Sequence, residues 1–361
     1  MLADGRLLSW SNYTTPQLWD GDGNLLAALS GNTIGVGGVI ELADGRLLSW
    51  SGDGNLQLWA GDGNLLATLS GHTSAVYGVI ELTNGRLLSW SGDNTLRLWD
   101  SDGNPLATLS GHRANANGAI ELADGKLLSW SNDRTLRLWD SDGNPLTILS
   151  EHTDRVLGAI ELADGRLLSW SSDTTLRLWD GDGNLLATLL GHELAVIKAI
   201  ELADGRLLSW SYDTTPRLWD GDGSLLAALS GHTKNMIGAI ELANGRLLSW
   251  NGDSTLRLWD SAGNMLVTLS GNRGEVRRAI VLANGRIFSS DDSAMIRLWD
   301  ADGNLLATLS GHTAYVNGAI SLTGDRLLSW SWDNTLRLWD ADGNPITTLL
   351  GHKDRIWGAM E

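Results

Sequence analysis

An all-β fold is predicted, and three observations predict it. The first is a 40-residue unit written nine times without insertion or deletion, so that nine units plus one residue fill all 361 positions. A period of this length marks a repeat architecture. The second is that each unit consists of short apolar runs punctuated by Asn-Gly and Asp-Gly, which read as successive β-hairpins. The third is that no segment sustains a helical period long enough to compete. Four antiparallel strands repeated radially give a β-propeller, which manages its edge strands by closing on itself. The expected architecture is a closed propeller of nine four-stranded blades, a single domain over residues 1–361, since no linker-like stretch interrupts the period.

The unit containing Val76 gives the order of elements. VYGVIEL is apolar and rich in β-branched residues and forms strand A; Asn84-Gly85 turns the chain into strand B, RLLSWS. Gly92-Asp93-Asn94 leads to strand C, TLRLWD, and Asp102-Gly103 to strand D, PLATLS. Gly111-His112 then opens the connection to the next unit. Met1 occupies the same repeat position as Glu361, so the chain begins with strands B, C and D and ends with a strand A, Lys353–Met360. Pairing that last strand with Arg6–Ser11 staples one blade from both ends of the chain and requires nine blades. Eight would leave one unit with an exposed edge. A start inside a blade also fits a piece excised from a longer protein.

Composition narrows the function classes. Lys and Arg number 26 against 43 Asp and Glu, a net charge of −17. This is roughly two excess negatives per unit, from turn residues such as Asp180 and Asp182, and it favours solubility and argues against nucleic-acid binding. There is no cysteine, so disulfides, thiolate metal sites and cysteine nucleophiles are excluded. No apolar run approaches the ~18 residues of a membrane span. The N-terminus lacks the basic and apolar regions of a signal peptide, so a cytoplasmic location is expected.

Four polar positions recur together, and six units carry the full set, among them His72, Ser89, Asp93, Trp99; His112, Ser129, Asp133, Trp139; and His152, Ser169, Asp173, Trp179. With the Gly-His and Trp-Asp dipeptides at this period, the whole chain resembles the WD-repeat β-propeller family, and the near-identity of its units resembles recently amplified bacterial members. The scattered differences between copies favour a natural origin. The resemblance implies a hydrogen-bonded tetrad inside each blade. The physical need is that a buried Asp and His each cost several kcal/mol unless paired, and such a network fixes the turn between strands B and C.

No chemistry beyond this is indicated. All seven histidines share one repeat position, which spaces them one per blade instead of converging them on a metal or substrate. The Asp180–Asn184 run lacks the later Gly and bidentate Glu of a calcium loop, so no metal or cofactor is expected. Ser129, His112 and Asp133 make no usable triad when buried, and no nucleophile elbow is present, so the chain is not expected to be an enzyme. The strand-B tryptophans such as Trp50, Trp90 and Trp130 recur in nearly every unit, as inter-blade packing demands.

Nine near-copies act as an internal control, and three positions vary freely. Before the tetrad Asp stand Asn12, Gly52, Gly92, Asn132, Ser172, Tyr212, Gly252, Asp292 and Trp332. Three residues after the Gly-His histidine stand Gly35, Ala75, Asn115, Arg155, Ala195, Asn235, Glu275, Tyr315 and Arg355. Two further on stand Gly37, Tyr77, Asn117, Leu157, Ile197, Ile237, Arg277, Asn317 and Trp357. Drift in tolerant loops would give small polar residues. Tyr, Trp and Arg are instead the residues enriched at binding hot spots. The expected partner-binding residues are Tyr315, Asn317, Trp332, Arg355, Trp357, Tyr212, Arg155, Tyr77 and Arg277, on the end of the blades carrying the B–C turns and D–A connections. The resemblance makes that end the family's usual partner face. The six residues after each Gly-His carry nine Lys or Arg against four Asp or Glu, which suits an acidic or mixed-charge partner.

The expected function is a monomeric, non-catalytic protein–protein interaction scaffold. A small-ligand or glycan binder, with Tyr315, Trp332 and Trp357 as platform, and an amplified module without a selected partner are the alternatives. Three tetrads read as damaged. Asn32 replaces a His, Tyr13 replaces the Asp facing His352, and Asn272 with Ser293 replaces both members, alongside Ser290 for the strand-B Trp.

Overall fold

The computed structural model describes residues 5–11, 15–31, 35–282, 284–322 and 326–360. These residues form nine four-stranded antiparallel sheets and no helix. In the blade that opens at Val76, strands A to D are Val76–Glu81, Leu87–Ser91, Leu96–Trp99 and Pro105–Leu109, hydrogen-bonded in that order. The expected staple is present: Ile356–Met360 pairs antiparallel with Leu7–Ser11 and completes the blade of Gln17–Trp19 and Leu25–Ala28. Met1, Tyr13, Asn32 and Glu361 lie outside the described residues.

By contact density the chain falls into two units. One spans Asn32–Trp59 and Leu65–Ala228 and carries the blades opening at Val36, Val76, Ala116, Val156 and Val196. The other spans Met1–Gly31, Ala60–Asn64 and Leu229–Glu361 and carries the blades opening at Met236, Val276 and Val316 together with the stapled terminal blade. Among the described residues no helix is long and apolar enough to cross a membrane.

Strand B explains why the blades stack. Side chains alternate sides along a strand, so consecutive leucines face opposite neighbours. Leu87 packs with Leu42, Leu56, Leu58 and Trp99 against the preceding blade, and Leu88 with Leu82, Leu96, Ala116 and Trp139 against the following one. Burying such a leucine is worth about 1.5–3 kcal/mol, and the unit repeats the pair as Leu-Leu in nearly every copy. The strand-B tryptophans join the same layers, Trp170, Trp250 and Trp330 fully within them. Their rings lie over strand A: a Cβ on Gly118 would meet Trp130 at 2.1 Å, so in that blade the indole sits where glycine leaves room for it. Where Ser290 replaces the indole, Arg278 replaces that glycine; Lys198 opposite Trp210 manages without the exchange.

In many blades two turns are stitched to a neighbouring blade. The Glu121 carboxylate, at the end of one strand A, accepts from Thr83 N at 2.7 Å in the A–B turn of the preceding blade. Glu81, Glu161 and Glu201 do the same for Ala43, Ala123 and Ala163. Arg86 in the A–B turn reaches Asp142 at 3.2 Å in the C–D turn of the next blade, and Arg46, Lys126, Arg166 and Arg246 make the equivalent pairs. Val281 and Ser321 stand where the capping Glu would be in two blades.

Candidate functional site

The frame of the site is the B–C turn and the D–A connection, joined at one end of each blade. In the Ala116 blade, Trp139 Nε1 donates to Ser129 Oγ at 2.9 Å. The hydroxyl proton is then free for His112 Nε2, also at 2.9 Å, and His112 Nδ1 donates to Asp133 at 3.0 Å. The network therefore places a proton on His112 Nδ1, facing the carboxylate. His72 and His152 stand in the same relation to Ser89 and Asp93, and to Ser169 and Asp173, while Trp99 and Trp179 donate to those serines. Burial pushes His72, His152 and His192 below the ordinary imidazole value, and His232 and His352 down to about 4. For Asp173, burial acts upward, but hydrogen bonds from His152, Thr175 and the Thr153 N–H outweigh it and hold the carboxylate well below its usual range.

Ser, His and Asp here follow the proton order of a hydrolytic triad, but Ser129 is wholly buried and its oxygen already accepts from an indole. Substrate does not reach it. The Asp180 carboxylate accepts from Asp182 N, Asn184 N and Asn184 Nδ2, so its lone pairs serve the hairpin turn. Among the described residues no group of three or more His, Asp or Glu is placed to hold a metal ion.

A second serine, which sequence reasoning passed over, extends the tetrad. Ser131 Oγ donates to Ala114 O at 2.9 Å and accepts from Asp133 N at 3.0 Å, tying the two loops together. In the Val276 blade this position holds Asp291. Its carboxylate, fully buried, accepts from Arg273 N and Ser293 N and pairs with Arg297 at 2.7 Å. Burial acts upward on Asp291, yet Ser293, the Arg273 N–H and Arg297 together hold it below the usual carboxylate range. The blade that had read as stripped of its charges thus contains a buried ion pair, reached from a position two residues along the chain.

On this frame the backbone of the variable positions is fixed by hydrogen bonds common to many blades. The N–H of the first variable residue donates to the carbonyl of the second: Gly92 to Ala75 at 3.0 Å, Ser172 to Arg155 at 2.9 Å, Trp332 to Tyr315 at 2.9 Å. The third sits on a β-bulge in strand A, where the register shifts between Val156 and Gly158 and at the matching place in each other blade. A bulge leaves one residue out of the ladder and re-aims its side chain.

Five predicted residues converge across the Val316 and terminal blades. Tyr315 meets Trp332 edge-on, ring centroids 4.9 Å apart at 69°. Trp332 tilts against Trp357 at 6.4 Å, and the Arg355 guanidinium lies over the Trp332 ring at 4.4 Å. Asn317 Nδ2 donates to Trp357 O at 3.0 Å. Trp357 stays 46% exposed, and among the described residues Trp332 Nε1 has no acceptor within the chain. Arg277 joins from the Val276 blade, where it pairs with Asp292 and Glu275, both at 2.9 Å. Asp292 and Glu275 were absent from the predicted site, although their variability was the available signal. Tyr77, Arg155 and Tyr212 sit on three separate blades of the other unit. Tyr77 and Tyr212 are about half exposed, and the Tyr77 hydroxyl accepts from Asn115 at 3.0 Å.

The family model described as "WD domain, G-beta repeat" matches residues 63–100, 103–140, 143–180 and 303–340. Among solved structures, the computationally designed Ika8 protein matches with a TM-score of 0.67 at 24% identity, over 87% of this chain and 99% of that one. The WD40 β-propeller domain of Doa1 matches with a TM-score of 0.51 at 25% identity, over 76% of this chain and 95% of that one. No curated protein matches. Four units thus match WD repeats, and the described residues form the nine four-stranded blades of a β-propeller.

Proposed function

We propose that this chain is a non-catalytic protein–protein interaction scaffold, acting as a cytoplasmic monomer, that binds through the blade end carrying the B–C turns and D–A connections. The binding centre is Tyr315, Asn317, Trp332, Arg355 and Trp357, with Arg277 beside it and Tyr77, Arg155 and Tyr212 as separate, weaker contacts. WD-repeat propellers commonly mediate protein interactions and are generally non-catalytic. The single observation that carries the reading is the clustering of one exposed and two partly buried aromatic rings with a stacked arginine, at positions where several sister blades hold Gly, Ala or Asn. Aromatic residues and Arg are the usual composition of an interface centre. Basic residues around the cluster suit a partner with an acidic or mixed-charge patch.

The test is bait capture from lysate with the wild-type chain and with Trp332→Ala/Trp357→Ala, alongside a glycan array. The expected result is a protein held by the wild type and lost by the double variant, each side chain contributing on the order of 2 kcal/mol, with the circular dichroism unchanged. Binding to the glycan array alone would favour the alternative reading, a sugar platform.

A further inference from the structure

We infer that a pocket between the Val276 and Val316 blades receives an arginine side chain of the partner protein, stacked in the Tyr315–Trp332 corner and bonded to Asp292. The inference deepens the proposed function and rests on it. The pocket, of about 420 Å³, is lined by Arg277, Asp292, Tyr315, Asn317 and Trp332. All five stand at freely varying positions. The matching residues around the Val76 and Ala116 blades are Tyr77, Gly92, Asn115, Asn117 and Asn132, which supply neither an ion pair nor a second aromatic ring.

Charge and hydrogen-bonding capacity choose the occupant. Two carboxylates, Asp292 and Glu275, share the one Arg277 guanidinium. Arg277 and Asp292 are 42% and 41% exposed, and exposed pairs of this kind are weak and exchangeable. Asp292 can therefore change partner while Arg277 keeps Glu275. The Asn317 amide N–H groups are committed to the Ile356 and Trp357 carbonyls, which leaves its oxygen as an acceptor. The Asp292 carboxylate, the Asn317 oxygen and the aromatic corner together favour a cation rich in N–H donors, and Trp332 Nε1, which has no acceptor among the described residues, suits a backbone carbonyl of the same segment. The chain itself shows that the Trp332 ring accepts a guanidinium, because Arg355 stacks on it without lining the pocket. Arginine suits the corner better than lysine, since its planar fork stacks and bonds a carboxylate at once. A carboxylate ligand would meet Asp292 and Glu275 with Arg277 already engaged. The partner segment is then an arginine flanked by acidic residues, which fits the basic surroundings.

The test uses capped pentapeptides Gly-Gly-X-Gly-Gly, with X as arginine, citrulline, lysine or glutamate, titrated by ligand-observed NMR. The arginine peptide is expected to bind at least about tenfold tighter than the citrulline peptide, the equivalent of one lost charged contact. Asp292→Asn should erase that ratio, and Leu106→Ala, at an exposed strand-D position, should leave it intact. Equal binding of arginine with citrulline or lysine, preference for glutamate, or no binding at all would overturn the inference. A captured partner lost by Trp332→Ala/Trp357→Ala but fully retained by Asp292→Asn would leave the interaction surface standing and sink the arginine pocket alone.

Discussion

The two ends of each blade use the same repeat in opposite ways. At the end of the A–B and C–D turns, side chains make the structure: Glu121 caps the neighbouring turn and Arg86 reaches the next blade. Nearly every copy keeps those residues. At the other end the backbone and the buried tetrad make the structure, through bonds such as Trp332 N to Tyr315 O and Ser131 Oγ to Ala114 O. The outward side chains there are not part of the frame common to all blades, and they vary. The difference teaches that variability follows from where the hydrogen bonds are drawn, and that a frame satisfied from within can present arbitrary side chains.

The largest effect is expected at the staple. Deleting Lys353–Glu361 removes Ile356 and Ala359 from the terminal core layer and leaves Leu7–Ser11 as an open edge. The truncated chain should unfold or associate, as read by sedimentation and melting. A monomer with unchanged melting temperature would break the claim that the variable end is built on a stapled frame.

Acid comes next. An unfolded histidine takes up a proton near pH 6.5, whereas His232 and His352 in the folded chain resist protonation until about pH 4. Below 6.5 the unfolded state therefore binds more protons, and stability falls as pH falls towards 4, by about 3 kcal/mol for His232 alone. The depressed tetrad aspartates extend the loss below pH 4. Melting temperature should be flat from pH 8 to 6.5 and drop steeply from 6 to 4; a maximum near pH 5 would mean charged His–Asp pairs instead.

Within the frame, Asp291→Ala should cost about 3–5 kcal/mol, because it strands Arg297 as an unpaired buried charge. Asp93→Ala, which takes an acceptor from His72 and breaks no arginine pair, should cost about 1–3 kcal/mol. Equal costs would show that the exchanged blade is not held by its ion pair. At the stitched end, Arg86→Ala should cost only ~1 kcal/mol or less, since Asp142 is largely exposed. A larger cost in urea unfolding would promote the stitches from fine adjustment to main support.

The repeat, the hairpins and the staple were legible because each has a local signature: a period, Asn-Gly and Asp-Gly turns, and the matched register of Met1 and Glu361. The tetrad positions were legible because four polar residues recur together. The strand-A bulge was not, since one residue left out of a pairing register carries no compositional mark. Nor was the Glu121–Thr83 cap, whose partners are far apart in sequence and meet only across two blades. Asp291 was overlooked because it replaces a serine at a position not counted in the tetrad. The convergence of Arg277 and Asp292 on Tyr315 depends on how neighbouring blades pack, which the sequence of one unit does not encode.

The central claim is that the aromatic cluster is dispensable for folding and serves recognition. It is tested most directly by exchanging its residues for those of sister blades, as Tyr315→Ala, Trp332→Gly and Trp357→Asn combined, and measuring the urea midpoint. Aromatic pairs are worth about 0.5–1.5 kcal/mol each, so the account predicts a cooperative transition displaced by no more than about 2–3 kcal/mol, with any captured partner lost. A folded state that collapses, or a partner that still binds, would contradict it.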